Sequence, residues 1–290
     1  MNLPPLDDLT FPGDGVTLHA VRAGDRGGPP VVLLHGFPEF WYGWRHQIGP
    51  LADAGFNVIA VDQRGYNTSD QPPRIRDYNL DRLAADVASV IATLGVEHAA
   101  VVGHDWGGIA AWWLAVTRPE RVSRLAILNA PHPVVMRRAL MTDPLQLLRS
   151  WYVFMLQLPG FPEWSARLGN WHALVQVLRT SSRPGTFSEE DFDRYRGAWS
   201  RPGAYRSMVN WYRAALRSPP RSPADVRVHG PALILWGAAD TAIRRKYAAA
   251  SAALCDDVRL ETFETATHWV QHEEVGRVNQ RLIEFLANRR

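Results

Sequence analysis

Val101-Val102-Gly103-His104-Asp105-Trp106-Gly107-Gly108 reads as a buried strand that runs straight into a helix. The pattern of glycine, any residue, a central side chain, any residue, glycine puts that central side chain on a sharp strand-to-helix turn. Glycines stand where the backbone approaches itself and leaves no room for a side chain. The central residue is Asp105, not a serine. Two readings are open from these residues alone. One is a carboxylate nucleophile; the other is a loop aspartate that caps the following helix.

Working outward, short apolar runs alternate with longer helical stretches. Val31–Leu34, Asn57–Val61, Ala99–Val102, Arg124–Leu128, Ala232–Trp236 and Val258–Phe263 read as strands, and Leu80–Leu94 and Ile109–Val116 as helices. Runs that are apolar throughout, rather than alternating, predict strands buried on both faces and hence a parallel sheet. Strand-helix alternation places the chain in the α/β class. From about Pro133 to Pro223 the rhythm breaks. That stretch is rich in Trp, Tyr, Arg and helix formers and holds no convincing strand. The chain therefore divides into a core formed by residues 1–132 and 224–290, with a helical cap at 133–223 inserted between two strands.

Composition narrows the function. The 290 residues are 46% hydrophobic and 21% charged, which excludes a disordered or fibrous chain. A net charge of +3 is too mild for a nucleic-acid footprint. Cys255 is the single cysteine, which excludes a disulfide framework or a cysteine-rich zinc site within one chain. Lys246 is the single lysine and looks superficial, a poor setting for Schiff-base chemistry. The opening residues carry acids and prolines without an apolar centre, so no signal peptide is expected. No apolar run approaches the ~18 residues of a membrane span. A cytoplasmic protein is expected.

Two later loops choose between the readings of Asp105. Asp240 lies just beyond the strand that ends in Trp236-Gly237, and His268 lies just beyond the last strand. The order nucleophile, acid, base is that of the α/β-hydrolase fold: a mostly parallel central sheet, helices on both faces and an inserted helical cap.

The chain resembles an α/β-hydrolase-fold epoxide hydrolase of the soluble, bacterial type over nearly its whole length. The stretches that carry the resemblance are HGFPEFWYGWRHQ (35–47), DQRGYNTSD (62–70), GHDWGG (103–108), NAPHP (129–133), YVFMLQLPGFPE (152–163) and NWYR (210–213), with the loops of Asp240 and His268. The resemblance implies that Tyr152 and Tyr212 point from the cap into the cavity and hold an epoxide oxygen. It also implies an oxyanion hole from the backbone N–H groups of Phe37 and Trp106, and a cis peptide between Phe37 and Pro38. One departure is Asn67, where the family has a second glycine; asparagine tolerates positive φ, so the loop is expected to keep its shape. Asp62, Arg64, Glu39, Trp41 and His46 are assigned packing or polar-contact roles.

The chemistry agrees with these residues. Aspartate attacking an acyl group would give an anhydride, whereas attack on a tetrahedral carbon gives a stable alkyl ester. The electrophile is then an epoxide or an alkyl halide. An epoxide oxygen leaves as an attached alkoxide and needs a proton donor, which a tyrosine supplies. A halide needs weak donors, and a dehalogenase often adds an asparagine where Phe37 stands. The tyrosines favour an apolar epoxide as substrate, opened to a vicinal diol through an ester on Asp105. Water activated by His268, oriented by Asp240, then hydrolyses that ester. Each backbone donor to the oxyanion is worth about 3 kcal/mol, and a neutral His268 predicts loss of activity at low pH. No metal or organic cofactor is implied. A haloalkane dehalogenase is the alternative, and a non-catalytic small-molecule binder or a serine-type esterase would be further from the pattern. Oligomeric state has no sequence signal.

Overall fold

A computed structural model of the chain describes residues 3–221 and 223–288. Eight strands form one sheet: β1 (Asp7–Pro12), β2 (Thr17–Ala23), β3 (Pro30–Leu34), β4 (Asn57–Val61), β5 (Ala99–His104), β6 (Val122–Leu128), β7 (Val228–Gly237) and β8 (Cys255–Phe263). Their order is β1-β2-β4-β3-β5-β6-β7-β8. From β4 to β8 every pairing is parallel; β1 and β2 add an antiparallel edge.

The continuous apolar runs are explained by burial on both faces. In β3, Val32 and Leu34 face the cluster that contains α2 (Leu80–Thr93) and α3 (Trp106–Thr117), while Val31 and Leu33 face the opposite cluster. That second cluster contains Ile48 and Leu51 of α1 (Arg45–Asp53) and Val278, Leu282 and Phe285 of α13 (Val275–Ala287). Each such side chain, fully buried, contributes roughly 1.5–3 kcal/mol. The helix expected over Leu80–Leu94 is α2, with Leu94 as its C-cap. The one expected from Ile109 starts three residues earlier, at Trp106.

Between β6 and β7 lie α4 (Pro133–Thr142), α5 (Pro144–Arg149), α6 (Trp151–Met155), α7 (Phe161–Arg167), α8 (His172–Ser181), α9 (Glu189–Trp199) and α10 (Ala204–Arg217). No strand interrupts them among the described residues. They are fastened to the sheet's loops by directional bonds. The Trp199 indole N–H donates to Pro38 O at 2.6 Å and that of Trp211 to Arg64 O at 3.0 Å. The Tyr195 hydroxyl donates to Glu39 Oε1 at 2.6 Å. After β7, α11 (Lys246–Ala252) leads to β8, and the short α12 (Val270–Glu273) precedes α13. Among the described residues no helix is long and apolar enough to cross a membrane.

Candidate active site

The elbow forms as its glycines demand. A Cβ on Gly107 would stand 2.1 Å from Leu34 O, so only glycine lets α3 begin this close to the end of β3. Asp105 sits at the turn with φ 49° and ψ −121°, which is costly for a residue with a side chain and presents its carboxylate at the sheet's edge. It occupies the N-cap position of α3, yet its side chain makes no capping bond. Instead Oδ1 accepts the Phe37 backbone N–H at 2.8 Å. The capping reading is therefore not what this carboxylate does.

Asp240 and His268 reach the same place from β7 and β8. Gly237 closes β7 where a Cβ would lie 1.9 Å from Thr267 O, so the two loops are in backbone contact. His268 Nδ1 is 2.7 Å from Asp240 Oδ2, and its Nε2 is 3.6 Å from Asp105 Oδ2. One imidazole thus lies between two carboxylates. Burial opposes a charge on His268, but Asp240 and Asp105 outweigh it and push its pKa up to about 10. Burial likewise opposes charge on both aspartates, and the imidazolium holds each below the usual carboxylate range.

Asp240 is fully coordinated. Its Oδ1 accepts the N–H groups of Ala242 and Ile243 at 2.8 and 2.9 Å. Its Oδ2 accepts both His268 and the Asn129 side-chain amide, the latter at 2.9 Å. Asn129 is buried at the end of β6 with φ 41°, and its Oδ1 accepts the Gly237 N–H at 2.8 Å. Sequence reasoning quoted Asn129 within NAPHP without giving it a role. The available signal was its place, a polar residue at a strand's carboxyl end beside the acid's strand.

The cap supplies the roof. Tyr212 of α10 packs edge-on against Phe37, Trp106 and Tyr152, with ring centroids 5.2, 5.0 and 5.9 Å away. Burial, followed by neighbouring groups that include Asp105, pushes both tyrosine pKa values up. Gln157 ties α6 to α10 by donating to Tyr212 O at 3.0 Å. No protein group takes up the Tyr152 hydroxyl among the described residues. Of the two amides expected to form an oxyanion hole, that of Phe37 bonds Asp105; that of Trp106 makes no such bond among the described residues. The Phe37–Pro38 peptide is cis.

The residues given packing roles are polar anchors. Asp62 accepts the Trp41 N–H at 2.8 Å and Asn67 Nδ2 at 2.6 Å, and Asn67 has the positive φ, 46°, that the loop requires. Arg64 is buried in a two-bonded pair with Asp86. Glu39 accepts from Tyr195, His272 and Gln271. Burial pushes His46 down to about 4. Among the described residues no group of three or more His, Cys, Asp or Glu could hold a metal ion.

Residues 29–275 match the model of the α/β hydrolase fold family. An AB hydrolase superfamily protein, YfhM, of Bacillus subtilis is 45% identical over 95% of this chain and 96% of its own length. Epoxide hydrolase 4 of Mus musculus is 36% identical over 94% of the chain and 77% of its own. A Bacillus megaterium epoxide hydrolase, solved with an inhibitor, superposes with a TM-score of 0.87 at 28% identity, covering 97% of this chain and 100% of that one.

The coordination of Asp240 gives a first test. Asn129→Ala removes a donor from a buried charge and an acceptor from a buried N–H. Unfolding free energy should fall by about 1.5–3 kcal/mol, read as a lower urea midpoint at unchanged slope. An unchanged midpoint would show that Asn129 does not support the acid.

Proposed function

The chain belongs to the epoxide hydrolases of the α/β-hydrolase fold, hydrolases that act on ether bonds, and from that membership we propose that it opens an apolar epoxide to a vicinal diol through an ester on Asp105. The observation that carries this reading is a carboxylate at the elbow, with one oxygen on a backbone amide and the other facing His268 beneath two cap tyrosines. Phe37 has no side-chain donor for a halide, and among the described residues no protein group takes up the Tyr152 hydroxyl.

Asp105 Oδ2 attacks a ring carbon and the carbon–oxygen bond breaks. The departing oxygen takes a proton from Tyr152 or Tyr212. Both phenols are made weak acids by burial and by the charge of Asp105. Ester formation removes that charge as the alkoxide appears, so the donor strengthens when it is needed. The tyrosinate recovers a proton at the expense of the His268 imidazolium, which has just lost one of its two carboxylate partners.

His268 is then neutral and can take a proton from water. The hydroxide adds to the carbonyl carbon of Asp105, and the oxyanion forms where Phe37 N–H already points. Collapse breaks the ester and returns the diol, ionised Asp105 and protonated His268. Water's oxygen stays in the Asp105 carboxylate; one of its hydrogens passes from the tetrahedral carbon's hydroxyl to the leaving alkoxide, completing the diol, and the other replaces the proton that His268 gave up.

Three outcomes are expected. Asp105→Ala should abolish diol formation from a panel of epoxides, while His268→Gln should accumulate a covalent adduct visible by intact mass. Full turnover in the first, or no adduct in the second, contradicts the ester route. Tyr152→Phe and Tyr212→Phe should each slow ester formation about 100-fold, the low end of the range for a positioned proton donor, and the double variant should nearly stop it; halide release from haloalkanes without diol formation would instead mark a dehalogenase. The third outcome concerns pH. The resting His268 is raised from 6.5 to about 10, so it is charged through neutral pH, and Asp105 is held ionised down to below the ordinary carboxylate range. Ester formation, followed by stopped-flow tryptophan fluorescence, should be level through neutral pH and fall only in acid. Ester hydrolysis should fall about tenfold per pH unit below the lower His268 pKa of the ester state. The reverse assignment of the two pH limbs would refute this charge coupling.

A further inference from the structure

The outer surface of the inserted helices is unusually apolar. Ten of the thirteen large hydrophobic side chains exposed among the described residues fall between Met141 and Leu168. Trp151 is 62% exposed and Trp164 61%, with Leu148, Phe154 and Phe161 also open to solvent. Phe161 and Trp164 lie together, their ring centroids 6.1 Å apart. Arg217 donates to Gln157 Oε1, which brings the end of α10, with exposed Leu216, to the stretch that holds exposed Leu158. Single exposed apolar residues need no explanation; ten within one 28-residue run of short helices point to an interaction surface.

Its charges are one-sided. In residues 133–168 the exposed charged side chains are Arg137, Arg138, Arg149 and Arg167. The two acids of the segment are spent on ion pairs: Asp143 with Arg244 and Lys246, Glu163 with Arg213. A self-association through this face would crowd arginines against arginines. Exposed tryptophans in a stretch whose exposed charges are all arginines match the boundary between acyl chains and anionic headgroups.

We propose that this face docks on the surface of an anionic lipid bilayer, with Trp151 and Trp164 entering the headgroup region and the arginines meeting lipid phosphates. The docked face is continuous with the roof of the site, since Trp151 immediately precedes Tyr152. The inference is independent of the reaction, and its test reads lipid binding alone.

The full chain is floated with phosphatidylcholine vesicles, with and without phosphatidylglycerol, at low and high salt. Wild type should partition onto the phosphatidylglycerol vesicles, and less so at high salt. Trp151→Ala with Trp164→Ala should lower the partition coefficient about tenfold or more. Arg137→Gln, Arg138→Gln and Arg167→Gln together should lower it about fivefold per arginine removed. Thermal melts of both variants establish that they fold. Absence of wild-type binding to anionic vesicles, or undiminished binding by either folded variant, overturns the proposal. So does a concentration-dependent dimer that the tryptophan variant abolishes, which would give the face to a second copy of the chain.

Discussion

Everything at the carboxyl edge of the sheet serves one arrangement, an imidazole between two carboxylates. His268 touches Asp240 on one side and faces Asp105 on the other. Two like charges this close to one buried ring are tolerable only if each is separately solvated by the protein. Asp240 receives two backbone amides and Asn129; Asp105 receives the Phe37 amide. Those donors come from three different strand ends, those of β3, β6 and β7. The parallel order β3-β5-β6-β7-β8 is what brings these ends beside those of β5 and β8, which carry Asp105 and His268, and Gly107 and Gly237 permit the last ångströms of approach.

The parts of this design that follow from local chemistry were legible in the sequence. Five of the six expected strands are legible because burial on two faces leaves an uninterrupted apolar run; the sixth, β8, is a mostly exposed edge strand. The order Asp105, Asp240, His268 was readable because each stands next to a strand's end. Strands β1 and β2 were not found. β1, DDLTFP, is mostly exposed, and β2, TLHAVRA, is interrupted by His19 and Arg22. Each lacks a run of apolar residues and gains its identity only by pairing with a neighbour. The role of Asn129 is not legible in the sequence for a similar reason. Its partners Gly237 and Asp240 are 108 and 111 residues away, and no local pattern encodes such a contact. The charge state of His268 was also beyond reach. A lone histidine suggests a neutral base at neutral pH, whereas this one lies between two carboxylates that push its pKa up to about 10.

That coupling bears on why the tyrosines sit in an inserted segment and not in the sheet. A donor on the rigid edge would lie among the carboxylates and their amides, where its hydroxyl would bond Asp105 in the resting state. On the cap, Tyr212 is held by ring contacts to Phe37, Trp106 and Tyr152, which fix its plane without occupying Asp105. Helix α6 carries the consequence to the outside. It is five residues long and turns Val153 inward, leaves Tyr152 half-buried and exposes Trp151 and Phe154. Val153 joins the core on the inner side of α6, whereas its outer side, among the described residues, carries exposed Trp151 and Phe154 where an amphipathic helix would carry polar groups. Apolar residues on its outer side cost solubility in water and gain nothing for the packing of the roof. Their persistence across α5, α6 and α7 is most simply explained by a second apolar phase on that side, the anionic bilayer surface to which the arginine fringe already points.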